Sequence, residues 1–446
     1  MRMLIRLSFA FGLVISGATV CFAQAPLSLT LEEAIRRGVE TAPRLIASRA
    51  RESAATSEVA ARNALRLPTV RTIAGYQRQN HVEEFGFVQP NGVTRIVFPD
   101  IPNNYLVRTE MTLAVLPISE AKAGVEAARA EARATSAETL TTTQDLRLQI
   151  AQTYWSLVTA REDVRVLDES LQRMDAWVGD IRARVDAGVL GPNDLLAAQA
   201  QRARQAVQRI QAQNAAVLAE LDLDRQVGAD PGQPLVLTTA VHDPIGGVEQ
   251  FLQQSPADLI TNALAHRPER QTLRERVASL HAAAVATSAQ RLPQLATSAS
   301  VEPARPNPRF APRTDTWRAT WDFGATLTWT LFDGGHIRAT AAEATAQALA
   351  LEHQMADFDA LVAVEIRQRL QDVQAGRMAA DAAATAVAAA AENRRVAQER
   401  FNAGVVTSTD VRDAQLALME SELDQTHLIA AVRLAEARLL RALGAS

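Results

Sequence analysis

Between Trp317 and Leu331 every second residue is apolar: Trp317, Ala319, Trp321, Phe323, Ala325, Leu327, Trp329 and Leu331. The residues between them are Arg318, Thr320, Asp322, Gly324, Thr326, Thr328 and Thr330. Side chains alternate between the faces of a strand, so this segment predicts a strand that is apolar on one face and polar on the other. It is also long enough to cross a bilayer. Tyr105 to Leu116 is similar, with Tyr105, Val107, Thr109, Met111, Leu113 and Val115 on one face. Residues 294–302 alternate more weakly, and 69–78 are ambiguous by pattern. A soluble sheet with one wet face would give the same pattern in any single strand. Four such segments, with tryptophan near both ends of the last, favour a membrane barrel. A sheet in lipid must close, because open edges leave backbone groups unsatisfied. Single-chain barrels need about eight strands, so four per chain imply that several chains share one barrel.

Elsewhere the pattern is helical. Stretches rich in alanine, arginine and glutamate run from about 119 to 187 and from about 336 to 402. Return helices follow, at about 192–228 and 407–443. Some 69 residues at about 1.5 Å each reach on the order of 100 Å, several times a bilayer, so these helices project into an aqueous compartment. In the last helix Leu428, Val432, Ala435, Leu439 and Leu443 form a stripe at helical spacing. In the first return helix Val207, Ile210, Val217 and Leu221 keep a near-heptad rhythm, with Asn214 in the stripe.

The chain is written twice. Ile35, Pro43, Arg66, Leu67 and Pro68 recur 225 positions later as Ile260, Pro268, Arg291, Leu292 and Pro293. Ala187-Gly188-Val189 with Asp194, Ala198 and Gln199 recurs 216 positions later as Ala403-Gly404-Val405 with Asp410, Ala414 and Gln415. Each copy holds a short helix pair, two strands and a long helical hairpin. The predicted organisation is a first repeat at 24–228, a linker at 229–255 and a second repeat at 256–446. The linker is marked by Pro231, Gly232, Pro234, Pro244, Gly246 and Gly247. The segments 78–104 and 303–316, rich in proline, read as loops between strands that face the cell exterior.

Residues 1–23 read as a signal peptide. Arg2 and Arg6 precede an apolar run from Leu7 to Val20, and cleavage is expected after Ala23 or Ala25. Cys21, the one cysteine, leaves with it, which excludes disulfides and thiolate metal sites from the mature chain. The whole chain carries 46 basic and 50 acidic side chains, which gives no reason to expect nucleic-acid binding. The seven histidines are scattered, and neither His-Glu-x-x-His nor Gly-x-Ser-x-Gly occurs. No enzyme, cofactor or metal site is expected.

The order of these parts resembles the TolC-like outer-membrane efflux proteins. The resemblance covers nearly all of the mature chain. It rests on the twofold repeat, on Thr330-Leu331-Phe332-Asp333-Gly334-Gly335 at a strand-to-helix junction, and on paired turns. The turns are Arg184-Val185-Asp186-Ala187-Gly188 and Arg400-Phe401-Asn402-Ala403-Gly404, each followed six residues later by aspartate. The resemblance implies an α+β membrane protein, a homotrimer with a twelve-stranded outer-membrane β-barrel and a periplasmic α-barrel of helical hairpins. It implies an exit duct of a tripartite efflux or type I secretion system in a Gram-negative bacterium. The duct meets outer-membrane lipid, a periplasmic adaptor protein and an inner-membrane transporter. The competing reading is a periplasmic coiled-coil scaffold without a barrel.

By the same resemblance Asp410 and Asp413, with Asp194 as the repeat counterpart of Asp410, are candidates for a periplasmic constriction. A helix cap built on Thr407 and Asp410 is the structural alternative. Gly188, Val189, Gly404 and Val405 mark hairpin tips expected to meet the adaptor. Arg184 and Arg400 fit as cations in a helix's last turn, with a gate salt bridge as a second reading. Some family members lock the gate with a basic residue two positions after the turn glycine; here that position is Val406. Trp317, Trp321, Trp329 and Tyr105 are candidate membrane-interface aromatics.

Overall fold

The computed structural model describes residues 26–445 apart from 231, 232, 242, 244 and 245. The expected signal peptide, with Arg2, Arg6, Cys21 and both cleavage positions, lies outside the described residues, as do Pro231, Gly232 and Pro244 of the linker. In chain order the elements are β1 (Leu27–Leu29), α1 (Leu31–Thr41), α2 (Pro43–Ala64), β2 (Thr69–Arg78), β3 (Phe85–Val88), β4 (Thr94–Phe98), β5 (Asn103–Leu116), α3 (Ile118–Asp186) and α4 (Pro192–Val227). Then come β6 (Leu235–Leu237), α5 (Glu249–Leu252), α6 (Pro256–His266), α7 (Pro268–Ala289), β7 (Gln294–Arg305), β8 (Arg318–Thr328), α8 (His336–Asn402) and α9 (Ser408–Leu443).

Local chemistry sets the helix boundaries. Thr30 Oγ1 accepts from the Glu33 amide at 3.1 Å and opens α1, and Ser255 does the same for α6 with the Asp258 amide at 3.2 Å. Pro43 and Pro268 then start α2 and α7, because the residue before each proline is forced into extended backbone. The two longest helices, α3 and α8, have 69 and 67 residues. Among the described residues no helix is long and apolar enough to cross a membrane.

The 216-residue offset recurs in the core. Leu146, Ile150, Tyr154 and Leu157 of α3 pack with Leu223 and Val227 of α4. Their counterparts Val362, Ile366, Leu370 and Val373 of α8 pack with Leu439 and Leu443 of α9. The short helices enter at the other offset, with Ala34 in the first core and Leu259 in the second. The first core has one addition. The buried Tyr154 hydroxyl donates to the Leu29 carbonyl and accepts from the Thr239 amide, each at 3.2 Å. This fastens the parallel β1–β6 pair, and with it the linker, to α3.

Four of the strands form an antiparallel sheet in the order β2-β5-β7-β8, so the central β5–β7 pairing joins the repeats. The segment 78–104, read from sequence as a loop, contains the β3–β4 hairpin. Its apolar residues, Phe85 and Phe87 on one strand and Ile96 and Phe98 on the other, are masked in the sequence by the surrounding proline and polar residues.

Candidate functional site

The sheet has two chemically distinct faces. The register places Val70 beside Met111, Met111 beside Ala299, and Ala299 beside Phe323. Tyr76, Tyr105, Leu113, Val301, Trp321 and Leu327 lie on the same face, and most of its large side chains are exposed. The opposite face carries the row Arg71, Glu110, Ser300 and Asp322 across all four strands. Arg71 meets Glu110 at 3.6 Å, Arg108 meets Glu302 at 3.5 Å, and Ser300 donates to Asp322 at 2.6 Å. Exposed tryptophan and phenylalanine on one face and cross-strand ion pairs on the other suit lipid outside and water inside.

Aromatic rings gather at both ends of the apolar face. Tyr76, Tyr105 and Trp317 form a chain with centroids 5.1 and 6.1 Å apart. At the other end Trp329 Nε1 donates to the Arg291 carbonyl at 3.1 Å. The eleven residues of β8 separate Trp317 from Trp329, and twelve steps of tilted strand cover about 30 Å along the membrane normal, close to a hydrocarbon core. Trp321 is exposed on the same face, nearer the Trp317 end.

At the far end of the long helices the two hairpin tips share a small core. Met174, Trp177, Ile181, Ala198, Phe401 and Val411 are buried together, and the Trp177 and Phe401 rings meet at 4.8 Å. The turns are identical in plan. Val189 N–H donates to the Arg184 carbonyl and Gly188 N–H to that of Val185; Val405 and Gly404 repeat this with Arg400 and Phe401. These are Schellman closures, and Gly188 and Gly404 adopt φ of 71° and 76°, where a Cβ is strained. Val189 and Val405 protrude into solvent.

The tip aspartates do different work. Asp410 forms a capping box with Thr407: its carboxylate accepts from the Thr407 amide at 2.8 Å and hydroxyl at 2.7 Å. The Thr407 hydroxyl, then the Thr407 amide, holds the Asp410 carboxyl below the usual carboxylate range, with a smaller pull from Arg400. Asp413 lies a turn deeper, exposed, beside Arg412 at 3.0 Å. Asp194 lies in the first turn of α4, where Gly191 is the cap residue, and its carboxylate accepts from the Ser408 hydroxyl of the other hairpin. Arg184 also crosses between hairpins. Its Nη2 donates to Asn402 Oδ1 at 2.7 Å, its guanidinium lies 4.6 Å from the Phe401 ring centre, and Asp180 pairs with it at 3.2 Å. Arg400 is exposed in the last turn of α8.

Because the folded pKa of Asp410 is lowered, the cap contributes fully above the ordinary carboxylate pKa of about 4 and is lost as pH falls through the lower folded value. Acidification through that range should loosen the start of α9. Hydrogen exchange at residues 408–411, corrected for intrinsic rates, should rise with acid in the native protein. In Thr407→Ala it should already be fast at neutral pH. Flat exchange across the range in both proteins would remove the cap from the account.

One repeated pair escaped the motif reading. Arg161 with Glu220, at 2.9 Å, recurs 216 residues on as Arg377 with Glu436, at 2.7 Å. The first pair grips Leu235 of β6; the second reaches Glu249 of α5 at 2.7 Å. The constant offset was the signal that could have found them. Among the described residues no cluster of three histidine, cysteine or acidic side chains could hold a metal.

A lipid-facing sheet continuous with helices on the order of 100 Å long defines a channel-forming outer-membrane protein. The family model described as outer membrane efflux protein matches residues 35–229 and 259–445, and the chain belongs to that family. It is therefore an exit duct of the outer membrane that extends into the periplasm, within a transport family. No curated protein matches the chain by sequence. Solved structures share its fold. The outer membrane protein VceC of Vibrio cholerae is similar at TM-score 0.75 and 19% identity, covering 93% of this chain and 96% of that one. The CmeC outer membrane channel of Campylobacter jejuni gives 0.77 and 14%, with coverages of 93% and 85%. The open state of the Neisseria gonorrhoeae MtrE channel gives 0.76 and 16%, with coverages of 93% and 88%.

Proposed function

We propose that three copies of this chain close into one duct, with the polar sheet face lining the barrel and the tips of α3–α4 and α8–α9 meeting at its periplasmic end. The observation that carries this is the match between the free edges of the sheet and those of the helical layer. Within one chain β2 and β8 each have one unpaired side. Above the tips α4 packs chiefly on α3 and α8 on α9, which leaves α4 and α8 at opposite edges. Val207, Ile210, Val217 and Leu221 of α4 are exposed, and so are Leu361, Val364 and Met378 of α8. Pairing β2 with β8 of the next copy would also lay these stripes against each other, which buries about 1.5–3 kcal/mol of transfer free energy per large side chain.

The proposed partners follow from the tips. Val189 and Val405 are apolar, exposed and held on rigid glycine turns, which suits docking of a periplasmic adaptor that leads to an inner-membrane transporter. The contacts of Asp194 and Arg184 across the hairpins make them candidates for holding the tip closed, while Asp413, exposed beside Arg412, is the candidate for presenting charge to the duct. Asp410 supports the helix start from which Asp413 projects.

Light scattering on protein purified from outer membranes in detergent should give a trimer mass. Ile210→Glu with Val364→Glu should shift it to monomer, because each buried unpaired carboxylate costs several kcal/mol. A trimer unchanged by both substitutions would put the contact elsewhere. A monomer or dimer recovered from the periplasm without detergent would favour the scaffold reading.

A further inference from the structure

The loop between β7 and β8 turns toward the polar face of the sheet, the face assigned to the channel interior. Pro306 and Asn307 are buried, Asn307 at 2% exposure. The Asn307 amide donates to the Arg318 carbonyl at 3.0 Å, Thr320 Oγ1 at 3.3 Å and the Glu302 carbonyl at 3.4 Å. Its Oδ1 accepts from the Arg309 amide at 3.0 Å. Arg309 then reaches Asp322 at 3.3 Å, and Asp322 belongs to the polar row. The Arg318 guanidinium lies 4.7 Å from the Phe310 ring centre. Three independent attachments therefore hold residues 306–310 against the side of β8 that carries Thr320 and Asp322. A loop free to extend into external solvent would make none of them.

The charge of this segment is one-sided. Arg305 is neutralised by Asp315 at 2.8 Å and Arg309 by Asp322, whereas Arg313 and Arg318 have no carboxylate partner among the described residues. Deeper in the sheet the charges balance, Arg71 against Glu110 and Arg108 against Glu302. We propose that the β7–β8 loop is an inward-folded constriction of the channel mouth, and that Arg313 and Arg318 give this mouth a preference for anions over cations. The inference rests on the barrel reading above. Within the mouth, which the β2–β5 loop with Glu83, Glu84 and Asp100 shares, it places the carboxylate-free positive charge on the β7–β8 segment. Cargo leaving from the periplasmic side then passes Arg313 and Arg318 last, which eases the exit of anionic solutes.

The test reads access from the cell exterior. Thr326 lies on the polar face, opposite Ala296 and below the loop, and is exposed. Thr326→Cys in a Cys21→Ser background is labelled on intact cells with two membrane-impermeant maleimides of equal size, one anionic and one cationic, too large for general porins. At low ionic strength the anionic reagent should react about tenfold faster. The ratio should collapse at high salt, where the Debye length falls to about 3 Å at 1 M. Arg313→Gln with Arg318→Gln should lower the ratio to near one, and Arg318→Lys should keep it. Asn307→Ala, which unpins the loop, should raise both rates together. A ratio indifferent to the arginines, with rates indifferent to Asn307, overturns the mouth assignment while leaving the barrel intact. No labelling of Thr326→Cys by either reagent, with the loop pinned or unpinned by Asn307→Ala, means that Thr326 does not face the duct, and overturns the assignment of the polar sheet face to the channel interior and this inference with it.

Discussion

Replacing Glu436 with alanine is expected to cost about 3–5 kcal/mol of stability, the usual effect of removing one member of a buried ion pair. Glu436 is fully buried on α9 and holds two guanidinia, Arg377 at 2.7 Å and Arg433 at 2.9 Å. Arg433 is itself mostly buried and also donates to the Val241 carbonyl, while Arg377 reaches Glu249. Truncation would remove the one buried carboxylate that Arg377 and Arg433 share, and would weaken the hold of the second hairpin on the linker and α5 to the Arg377–Glu249 and Arg433–Val241 contacts. The repeat counterpart supplies the contrast. Glu220 is 28% exposed at its side chain and its partner Arg161 34%, so water screens that pair, and Glu220→Ala should cost about 1 kcal/mol or less. Denaturant unfolding of the two variants in detergent, followed by circular dichroism, should separate them by at least about 2 kcal/mol. Replacing Arg377, Arg433 and Glu436 together with methionine, methionine and leucine should recover most of the loss, because no charge then stays buried. Equal losses for Glu436→Ala and Glu220→Ala would show that the guanidinia escape to solvent.

The second large effect is expected at the tips. For the duct to widen there, α3–α4 must part from α8–α9, which breaks the Asp194–Ser408 bond, the Arg184–Asn402 bond and the stacking of Arg184 on Phe401. Hydrogen bonds to charged groups contribute about 1.5–3 kcal/mol each, and a partly exposed cation–π contact about 0.5–1. Removing them with Arg184→Ala and Ser408→Ala should favour the open arrangement by about 2 kcal/mol or more, at least tenfold in its population. Planar-bilayer recordings should show longer or larger openings in the double variant. Asp413→Ala alone should change cation block more than opening, since among the described residues Asp413 makes no hydrogen bond or ion pair with the other hairpin. Unaltered traces in the double variant would mean that the hairpins are held by the shared core around Trp177 and Phe401, or between copies of the chain, instead.

The sequence by itself determined the repeat, the order of elements and the two-faced character of the strands. Period-two alternation at 317–331 and helical periodicity over long alanine-rich stretches are local signals, and glycine and proline mark their ends for steric reasons that need no tertiary context. The capping role of Thr407 and Asp410 was also legible, because a capping box spans only four residues. What only the tertiary structure decided are relations between residues far apart in the chain. Asp194 reads from sequence as the repeat counterpart of Asp410 and a constriction candidate, and only the structure shows its carboxylate taken by Ser408, 214 residues away. The stripe of Val207, Ile210, Val217 and Leu221 reads from sequence as a near-heptad apolar face, and only the structure shows that nothing within the chain covers it. Periodicity shows that a helix has an apolar face but not what covers it, since burial within a chain and burial between chains use the same transfer free energy. The inward fold of the β7–β8 loop was likewise hidden: four prolines announce a loop, but its direction is set by Asn307 and Arg309 finding partners on a sheet face that exists only once β7 and β8 are paired.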